Sequence, residues 1–179
     1  MMKALLMDEK AIARAITRIS HEILERNRGS ENVIIVGIKT RGIYLGEMIA
    51  QKIWEIESNQ VETYSLDVTN YRDDLDRIGK KGIEEIRPEE KRSSFSIEGK
   101  RVILVDDVLY TGRTVRSAMN ALLECGRPSN IQLAVLIDRG HRELPIRADY
   151  VGKNVPTSAE EKVQVLLLPF DPESRVAIL

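Results

Sequence analysis

The most informative stretch of this sequence is Val102-Ile103-Leu104-Val105-Asp106-Asp107-Val108-Leu109-Tyr110-Thr111-Gly112-Arg113-Thr114. Its first four residues are apolar and three of them are β-branched, which predicts a strand buried on both faces of a parallel sheet. Asp106 and Asp107 follow directly, and a helical pattern begins near Thr114. Because open α/β sheets bind ligands at the carboxyl ends of their strands, the sequence predicts a binding site at this turn.

The residue types at this turn indicate a phosphorylated sugar as the ligand. Backbone N–H groups between a strand and a helix N-terminus bind anions, whereas paired carboxylates suit hydroxyl groups, cations or Mg²⁺. An acid pair beside an anion site therefore fits a ligand that carries hydroxyls and phosphate together. The alternative is an ordinary buried strand ending in a solvated acidic turn, and the Thr-Gly-Arg-Thr run at 111–114 disfavours it.

Length, charge and cysteine content narrow the class of protein. A chain of 179 residues is long enough for one domain with a sizeable core. Its formal net charge is −1, so any nucleic-acid binding must come from a local patch. The single cysteine, Cys125, excludes an internal disulfide. Because there are only two histidines as well, a Cys/His zinc site is also excluded, and we predict no metal-ligating residues. Without a signal-peptide pattern or a membrane-length apolar run, we expect a cytoplasmic protein with no membrane partner.

A second strand, loop and helix pattern precedes the first. The apolar run Val33–Ile38 leads into Lys39-Thr40-Arg41-Gly42 and then into a helical pattern that extends to Ile56. This loop places two cations and backbone donors at the carboxyl end of a strand. A basic loop alone is weak evidence, because Lys and Arg are common in turns. A basic and an acidic loop at one sheet edge fit a sugar phosphate that also carries a diphosphate.

The remaining pattern predicts an α/β fold, with a single domain built on a mainly parallel twisted sheet flanked by helices. Asp8 as N-cap and Gly29 as the residue after the end delimit a first helix with a stripe of isoleucines. Further strands are predicted at 61–68, 131–137, 150–152 and 163–168, and a further helix at 114–124. The polar stretch from about Thr69 to Gly99 is too long for an idle loop, so it predicts a lid, with a disordered insert as the alternative.

Residues 102–114 resemble the signature of the type I phosphoribosyltransferases, which bind phosphoribosyl pyrophosphate (PRPP). The resemblance implies that Asp106 and Asp107 bind the ribose hydroxyls, that the basic loop takes the diphosphate, and that Mg²⁺ accompanies PRPP. It also implies a flexible lid over about 69–99, with Arg72 as a further catalytic residue. The PRPP and nucleotide site that it implies comprises Lys39, Thr40, Arg41, Gly42, Asp106, Asp107, Val108, Leu109, Tyr110, Thr111, Gly112, Arg113 and Thr114.

Nearly the whole chain is similar to one bifunctional branch of this family, the pyrimidine operon attenuation proteins with uracil phosphoribosyltransferase activity. The similarity is carried by residues 17–22, 37–45 and 137–157. It implies conversion of uracil and PRPP to UMP and diphosphate, with Arg139 and His141 binding the base. It also implies binding of pyr leader mRNA when UMP or UTP is bound, and a homodimer or higher homo-oligomer. The RNA-binding residues that it implies are Thr17, Arg18, His21, Arg142, Arg147 and Lys153.

Alternatives remain at the level of the residues. The polar face of the first helix, with Arg14, Thr17, Arg18 and His21, is by itself most simply a solvated face, and only the resemblance favours RNA there. A plain nucleobase salvage enzyme with no RNA role has no reason to keep five of these candidates: Arg18, His21, Arg142, Arg147 and Lys153. A receiver-like signalling domain is disfavoured, because its acid pair follows the first strand of the fold, whereas Asp106 and Asp107 come late.

Overall fold

The computed structural model describes residues 2–68 and 95–179, together with the backbone of 83–85. In this part of the chain the helices and strands are β1 (Ala4–Met7), α1 (Glu9–Asn27), β2 (Val33–Ile38), α2 (Arg41–Glu57), β3 (Glu62–Leu66), β4 (Ile83–Glu85), β5 (Arg101–Leu109), α3 (Arg113–Leu123), β6 (Asn130–Asp138), β7 (Tyr150–Asn154), β8 (Val163–Leu166) and β9 (Arg175–Ile178). None of the described helices is long and apolar enough to cross a membrane.

The main sheet has the strand order β4-β3-β2-β5-β6-β7. Five of its strands run parallel, and β4 pairs antiparallel with β3 at one edge. Helices α1 and α2 pack on one face, against residues such as Ile35 and Ile103, while α3 packs on the other face, against Ile34 and Val102. Neighbouring strand residues thus face opposite layers, as a strand buried on both sides requires. The predicted α/β class with a mainly parallel sheet is confirmed.

Local signals delimit the helices as predicted. Asp8 caps α1, since its carboxylate accepts the N–H of Ala11 at 2.7 Å. At the other end Arg28 adopts a left-handed conformation and the Gly29 N–H donates to the carbonyl of Leu24, which closes the helix. Helix α3 begins within one residue of its predicted start at Thr114 and ends at Leu123.

Strand β5 is longer than the apolar run that predicts it. It continues through the acid pair to Leu109, because Asp106 pairs with Val135 and Leu109 with Asp138 of β6. Asp106 and Asp107 therefore lie inside the strand near its carboxyl end, rather than in a turn after Val105.

A second, three-stranded sheet of order β1-β9-β8 was not predicted, although β8 was. Its strands are antiparallel, and β1 pairs with β9 so that Ala4 faces Ile178. Met7, Val165 and Val176 join the core on the side of α1 and α2. This small sheet places the segment between β8 and β9 beside the main sheet.

The predicted lid lies mostly outside the described residues. Within its span the structure describes only the backbone of β4 and the residues from Phe95 onward. Ile97 is fully buried, and the Phe95 ring meets Tyr64 edge-on with centroids 4.6 Å apart. Residues 95–99 therefore belong to the body of the protein, which makes Gly99 too late as the end of a lid. The lid itself stays a prediction.

Candidate active site

The acid pair lies at the centre of the main sheet. Asp106 is 8% exposed and Asp107 is half-buried. Asp106 Oδ1 accepts the N–H of Asp107 at 2.9 Å, and Asp107 Oδ1 accepts the N–H of Val108 at 2.8 Å. Burial, followed by the negative charge of Asp107, raises the pKa of Asp106 well above its usual value. A ligand that brings hydroxyl donors or positive charge to this pair replaces the hydration lost on burial and offsets the repulsion between the two carboxylates.

Residues 110–114, here called the phosphate turn, lead from β5 into α3. Gly112 has φ of +91°, a left-handed conformation that other residues rarely adopt. The Arg113 N–H donates to Thr111 Oγ1 at 3.3 Å. Behind the turn, the first N–H groups of α3 lack intrahelical acceptors, and the helix dipole is positive there. The turn therefore has the geometry of an anion site.

The loop after β6 holds the phosphate turn in place. The backbone N–H groups of Glu143 and Leu144 donate to the Thr111 carbonyl at 2.9 and 3.2 Å. Arg113 Nε also donates to the Glu143 carboxylate at 2.6 Å. A Cβ at Gly112 would lie 3.5 Å from the side chain of Leu144, so the loop covers the turn at van der Waals distance. The phosphate turn is thus fixed by the next loop of the chain.

The basic loop, residues 39–42, follows β2 and touches β5; its last two residues, Arg41 and Gly42, already form the first turn of α2, which begins earlier than predicted. A Cβ on Gly42 would stand 2.5 Å from the carbonyl oxygen of Val105, and one on Gly37 would stand 2.5 Å from the carbonyl oxygen of Gly42. Real Cβ atoms do not approach backbone so closely, so both positions require glycine. The Lys39–Thr40 peptide bond is cis. These contacts bring the basic loop next to the strand that carries the acid pair.

Both cations of the basic loop have carboxylate neighbours. The Lys39 ammonium lies 3.9 Å from the carboxylate of Asp67. Arg41 is bound by both carboxylate oxygens of Asp171, from the segment between β8 and β9. The hydrogen bond to Asp171 is the main cause that raises the pKa of Arg41, and the charge of Asp107 adds to it. The negative charge of Asp107 therefore acts on the guanidinium of Arg41.

The predicted base-binding residues form a cluster around Thr157. Arg139 is 7% exposed, and its guanidinium donates to Thr157 Oγ1 at 3.1 Å and to the Ser158 carbonyl at 3.2 Å. It also lies 4.0 Å from the centre of the Tyr110 ring. His141 Nε2 lies 2.6 Å from the Thr157 carbonyl oxygen and donates a hydrogen bond to it. The structure thus brings Arg139 and His141 together beside the phosphate turn.

Arg142, a predicted RNA-binding residue, contacts this same region. Its guanidinium donates to the carbonyls of Ile146 and Tyr110, both at 2.9 Å, and to the carbonyl of Gly140 at 3.3 Å. It also forms an ion pair with Asp138 at 2.5 Å. Arg142 therefore braces the loop after β6 against the phosphate turn, and its role in RNA binding stays a prediction.

Two other predicted RNA-binding residues lie together on the side of α1 and β7. Arg18 donates to the carbonyls of Val151 and Gly152 at 3.2 and 2.7 Å, and Lys153 donates to the carbonyl of Leu6 at 3.0 Å. Both side chains belong to exposed residues. The polar face of α1 and the strand β7 thus form one continuous, partly basic surface.

The remaining predicted RNA-binding and catalytic residues are His21, Arg147, Thr17 and Arg72. His21 and Arg147 are exposed, and Thr17 is half-buried with its hydroxyl donating to the Ala13 carbonyl at 3.0 Å. Arg72, the predicted third catalytic residue, lies outside the described residues. Its role stays a prediction.

Three contacts of the site were missed by sequence reasoning. Thr157 and Glu143 lie inside the stretch that carries the resemblance, but no motif marks them as partners of Arg139 and Arg113. Asp171 is 130 residues from Arg41, in a region without any motif. Only the pairing of the second sheet brings it to the basic loop.

The fold and this arrangement of loops define a phosphoribosyltransferase, and comparison with known proteins agrees. Residues 5–170 match the family model of the phosphoribosyl transferase domain. The crystal structure of the hypoxanthine phosphoribosyltransferase of Trypanosoma cruzi shares the fold with a TM-score of 0.73, at 18% identity over 99% of this chain and 97% of that one. The chain belongs to the phosphoribosyltransferase family.

Its relatives in sequence lie in the bifunctional branch. The chain is 59% identical to Bifunctional protein PyrR of Clostridioides difficile (strain 630) over 178 residues, covering 98% of this chain and 97% of that one. It is 57% identical to Bifunctional protein PyrR of Bacillus cereus (strain AH820) over the same shares of both chains. The resemblance noted in the sequence is confirmed.

Proposed function

We propose that this protein is a uracil phosphoribosyltransferase that also regulates pyrimidine biosynthesis genes by uridine-nucleotide-dependent binding to pyr leader mRNA. The reaction is uracil plus PRPP giving UMP plus diphosphate. The observation that carries the enzymatic half is the contact of Gly42 with Val105, next to Asp106. Because of this contact, the basic loop lies beside the acid pair at one edge of the sheet. We assign the cations of the loop to the diphosphate, the carboxylates to the ribose hydroxyls and the N-terminus of α3 to the 5′-phosphate.

The acid pair suits the expected transition state. As the bond between the ribose and the diphosphate breaks, positive charge develops on the sugar ring. Asp106 and Asp107 hold carboxyl groups where that sugar would lie, and a fixed negative charge in a partly buried site stabilises such a cation. No side chain has to act as a covalent nucleophile, because positioning and electrostatics supply the rate.

Mg²⁺ entering with PRPP fits the acid pair. In proteins this ion is held by one or two carboxylates together with oxygens of the substrate. No group of three or more potential ligands in the described part of the chain is placed to bind a metal on its own. Asp106 and Asp107 are its proposed protein partners, and the bound ion would supply positive charge for the departing diphosphate.

Uracil is proposed to bind beside Tyr110, Arg139 and His141. The guanidinium of Arg139 is buried against Thr157 and the Tyr110 ring, so it gives the base pocket a fixed wall. His141 is exposed and adopts φ of +60°. Its ring is the more accessible of the two predicted base-binding groups.

The RNA-binding half is proposed for the face of α1 and β7, with Arg18, His21 and Lys153, and with Thr17 at its margin; Arg147, exposed in the segment before β7, is proposed as a further RNA contact. Guanidinium, ammonium and imidazole groups suit phosphates and looped-out bases. This face is linked to the base pocket, because Val155, just after β7, donates its N–H to the Asp138 carbonyl at 2.8 Å. Asp138 in turn binds Arg142 beside the pocket, which supports a route for dependence on UMP or UTP.

Two assays on one preparation test both halves. UMP formation from uracil and PRPP measures catalysis, and retention of labelled pyr leader RNA, with and without UMP, measures regulation. Arg18→Ala and Arg147→Ala should weaken RNA binding and reduce the log–log salt slope by about 0.7 each, while catalysis stays near parental. Arg127→Ala, an exposed site after α3, is the control. RNA binding by Arg18→Ala equal to the parent's would contradict the proposed face, and catalysis without RNA binding would indicate a plain salvage enzyme.

A cytoplasmic location and a homodimer or higher homo-oligomer complete the proposal. Both rest on the likeness to the bifunctional branch. Light scattering coupled to size-exclusion chromatography gives the mass in solution, and a monomer at working concentration would contradict the oligomer.

A further inference from the structure

The side chain of Arg41 is held by a residue from the far end of the chain. Its Nε and Nη2 donate to the two carboxylate oxygens of Asp171, each at 2.9 Å. The Phe170 ring lies 5.5 Å from the guanidinium carbon. The side chain of Asp171 is 10% exposed and that of Arg41 is 28% exposed. A two-pronged pair of this kind fixes both the position and the plane of a guanidinium.

Asp171 is itself firmly anchored. Its Oδ2 also accepts the Leu167 N–H at 2.8 Å, and its own N–H donates to the Leu167 carbonyl at 2.8 Å. The neighbouring Phe170 stacks on Tyr44 of α2, with ring centroids 6.0 Å apart. The carboxylate is therefore a fixed point, carried by the segment between β8 and β9, against which Arg41 is oriented.

The acid pair is a second source of negative charge near Arg41. Asp107 is near enough that its charge contributes to the raised pKa of Arg41. A long, flexible arginine side chain with no other anchor would be attracted toward Asp106 and Asp107. An ion pair there would occupy the carboxylates that the ribose hydroxyls need.

We propose that Asp171 is a positioning residue for the reaction: it holds Arg41 at the diphosphate side of the site and keeps it off the acid pair. The proposal rests on the assignment of the basic loop as the diphosphate site. The pair with Asp171 engages Nε and Nη2, and so leaves the two N–H groups of Nη1 outside it. An arginine oriented in this way presents donors in a fixed geometry, which favours phosphate oxygens.

Asp171→Asn tests the proposal, because the amide keeps the size of the carboxylate but removes its charge. The KM for PRPP and the dissociation constant of diphosphate should both rise about tenfold, as expected for losing a hydrogen bond between charged groups. The affinity for UMP, which carries no diphosphate, should stay within about twofold of the parent's. An equal loss for UMP and diphosphate would show a merely structural role and overturn the proposal.

Glu173→Gln is the matched control. Glu173 lies in the same segment and forms an ion pair with Arg175 at 2.8 Å, with its side chain about half exposed. Its carboxylate pairs with Arg175 and not with the basic loop, so its loss should leave the KM for PRPP and the diphosphate affinity at parental values. A tenfold change in this variant as well would assign the effect to the segment as a whole and refute a specific role for Asp171.

Combining Asp171→Asn with Arg41→Ala completes the test. If Asp171 acts through Arg41, the double variant binds diphosphate no more weakly than Arg41→Ala alone. Additive losses would overturn the proposal. Arg41→Lys is the second variant, since it keeps the charge but cannot form the two-pronged pair, and should show the same loss if Asp171→Asn is too unstable to assay. Calorimetry measures the dissociation constant of diphosphate without turnover. The result therefore does not depend on whether uracil is the substrate.

Discussion

The two loops at the carboxyl edge of the sheet are built alike but held differently. Each follows a buried strand and opens a helix, one from β2 to α2 and one from β5 to α3. The phosphate turn is fixed by its own glycine and by Glu143 in the next loop of the chain. The basic loop is fixed by the contact of Gly42 with β5 and by Asp171 from the segment between β8 and β9. The phosphate turn is thus held by the next loop of the chain, while the basic loop depends on more distant parts of the fold.

The largest expected effect comes from the acid pair that separates the two loops. Asp106→Asn and Asp107→Asn should each reduce the rate of UMP formation by about a hundredfold or more, because each removes a group that stabilises charge in the transition state. Steady-state kinetics with uracil and PRPP measure this, with circular dichroism as the check on folding. Near-parental turnover in both folded variants would refute the assignment of the pair.

Alanine at the two glycines distinguishes the loops. Gly42→Ala should destabilise the protein by about 1–3 kcal/mol and weaken diphosphate binding, because its Cβ collides with the Val105 carbonyl. Gly112→Ala meets only side chains but must hold a left-handed φ, which costs roughly 1–2 kcal/mol. Thermal or denaturant unfolding ranks the two. A larger loss in Gly112→Ala would reverse the comparison.

The pH dependence of stability gives a smaller effect, and here the substitution is expected to stabilise the protein. Burial and Asp107 raise the pKa of Asp106 in the folded protein, so that the folded state binds more protons than the unfolded state. The stability that depends on this proton is present below the unfolded pKa and is lost as pH rises through the folded pKa. Asp106→Asn avoids that loss and should be more heat-stable than the parent at about pH 8, with little advantage at about pH 4. An advantage that does not grow with pH would contradict the raised pKa.

The smallest effect is expected at the ion pair that braces the phosphate turn. Arg113 and Glu143 are both about half exposed, so Glu143→Gln should cost at most about 1 kcal/mol of stability. Its effect on PRPP binding should be smaller than that of Asp171→Asn at the basic loop. A Glu143→Gln variant as impaired as Asp171→Asn would show that both loops depend equally on their ion pairs.

The parts of the fold that were predictable are those held by local signals. Asp8 and Gly29 delimit α1 through contacts within the helix ends, and the apolar run before Asp106 marks the central strand. The end of β5 was misjudged, because aspartate is a poor strand former and only the pairing with β6 carries the strand through the acid pair. Tertiary pairing overrode the local preference there.

The second sheet and its partner contacts lacked any such signal. Strands β1 and β9 have four residues each, too few for a clear alternation, and they pair across almost the whole chain. Asp171 follows from that pairing, so the anchor of Arg41 could not be predicted either. The charge of Arg142 suits RNA. Its four hydrogen-bond acceptors come from separate parts of the chain around the phosphate turn, so its contacts could not be predicted from the sequence.

The pairing of β1 with β9 has a consequence for how the protein is made. Ala4 cannot meet Ile178 until the last strand has left the ribosome, and closing so long a loop is slow because of its entropy. The main sheet and its acid pair need no residue beyond β7, so we expect them to fold first during synthesis. Arg41 then acquires its partner Asp171 only in the final step. The proposed ribose and 5′-phosphate sites are therefore expected to form before Arg41 is oriented for diphosphate.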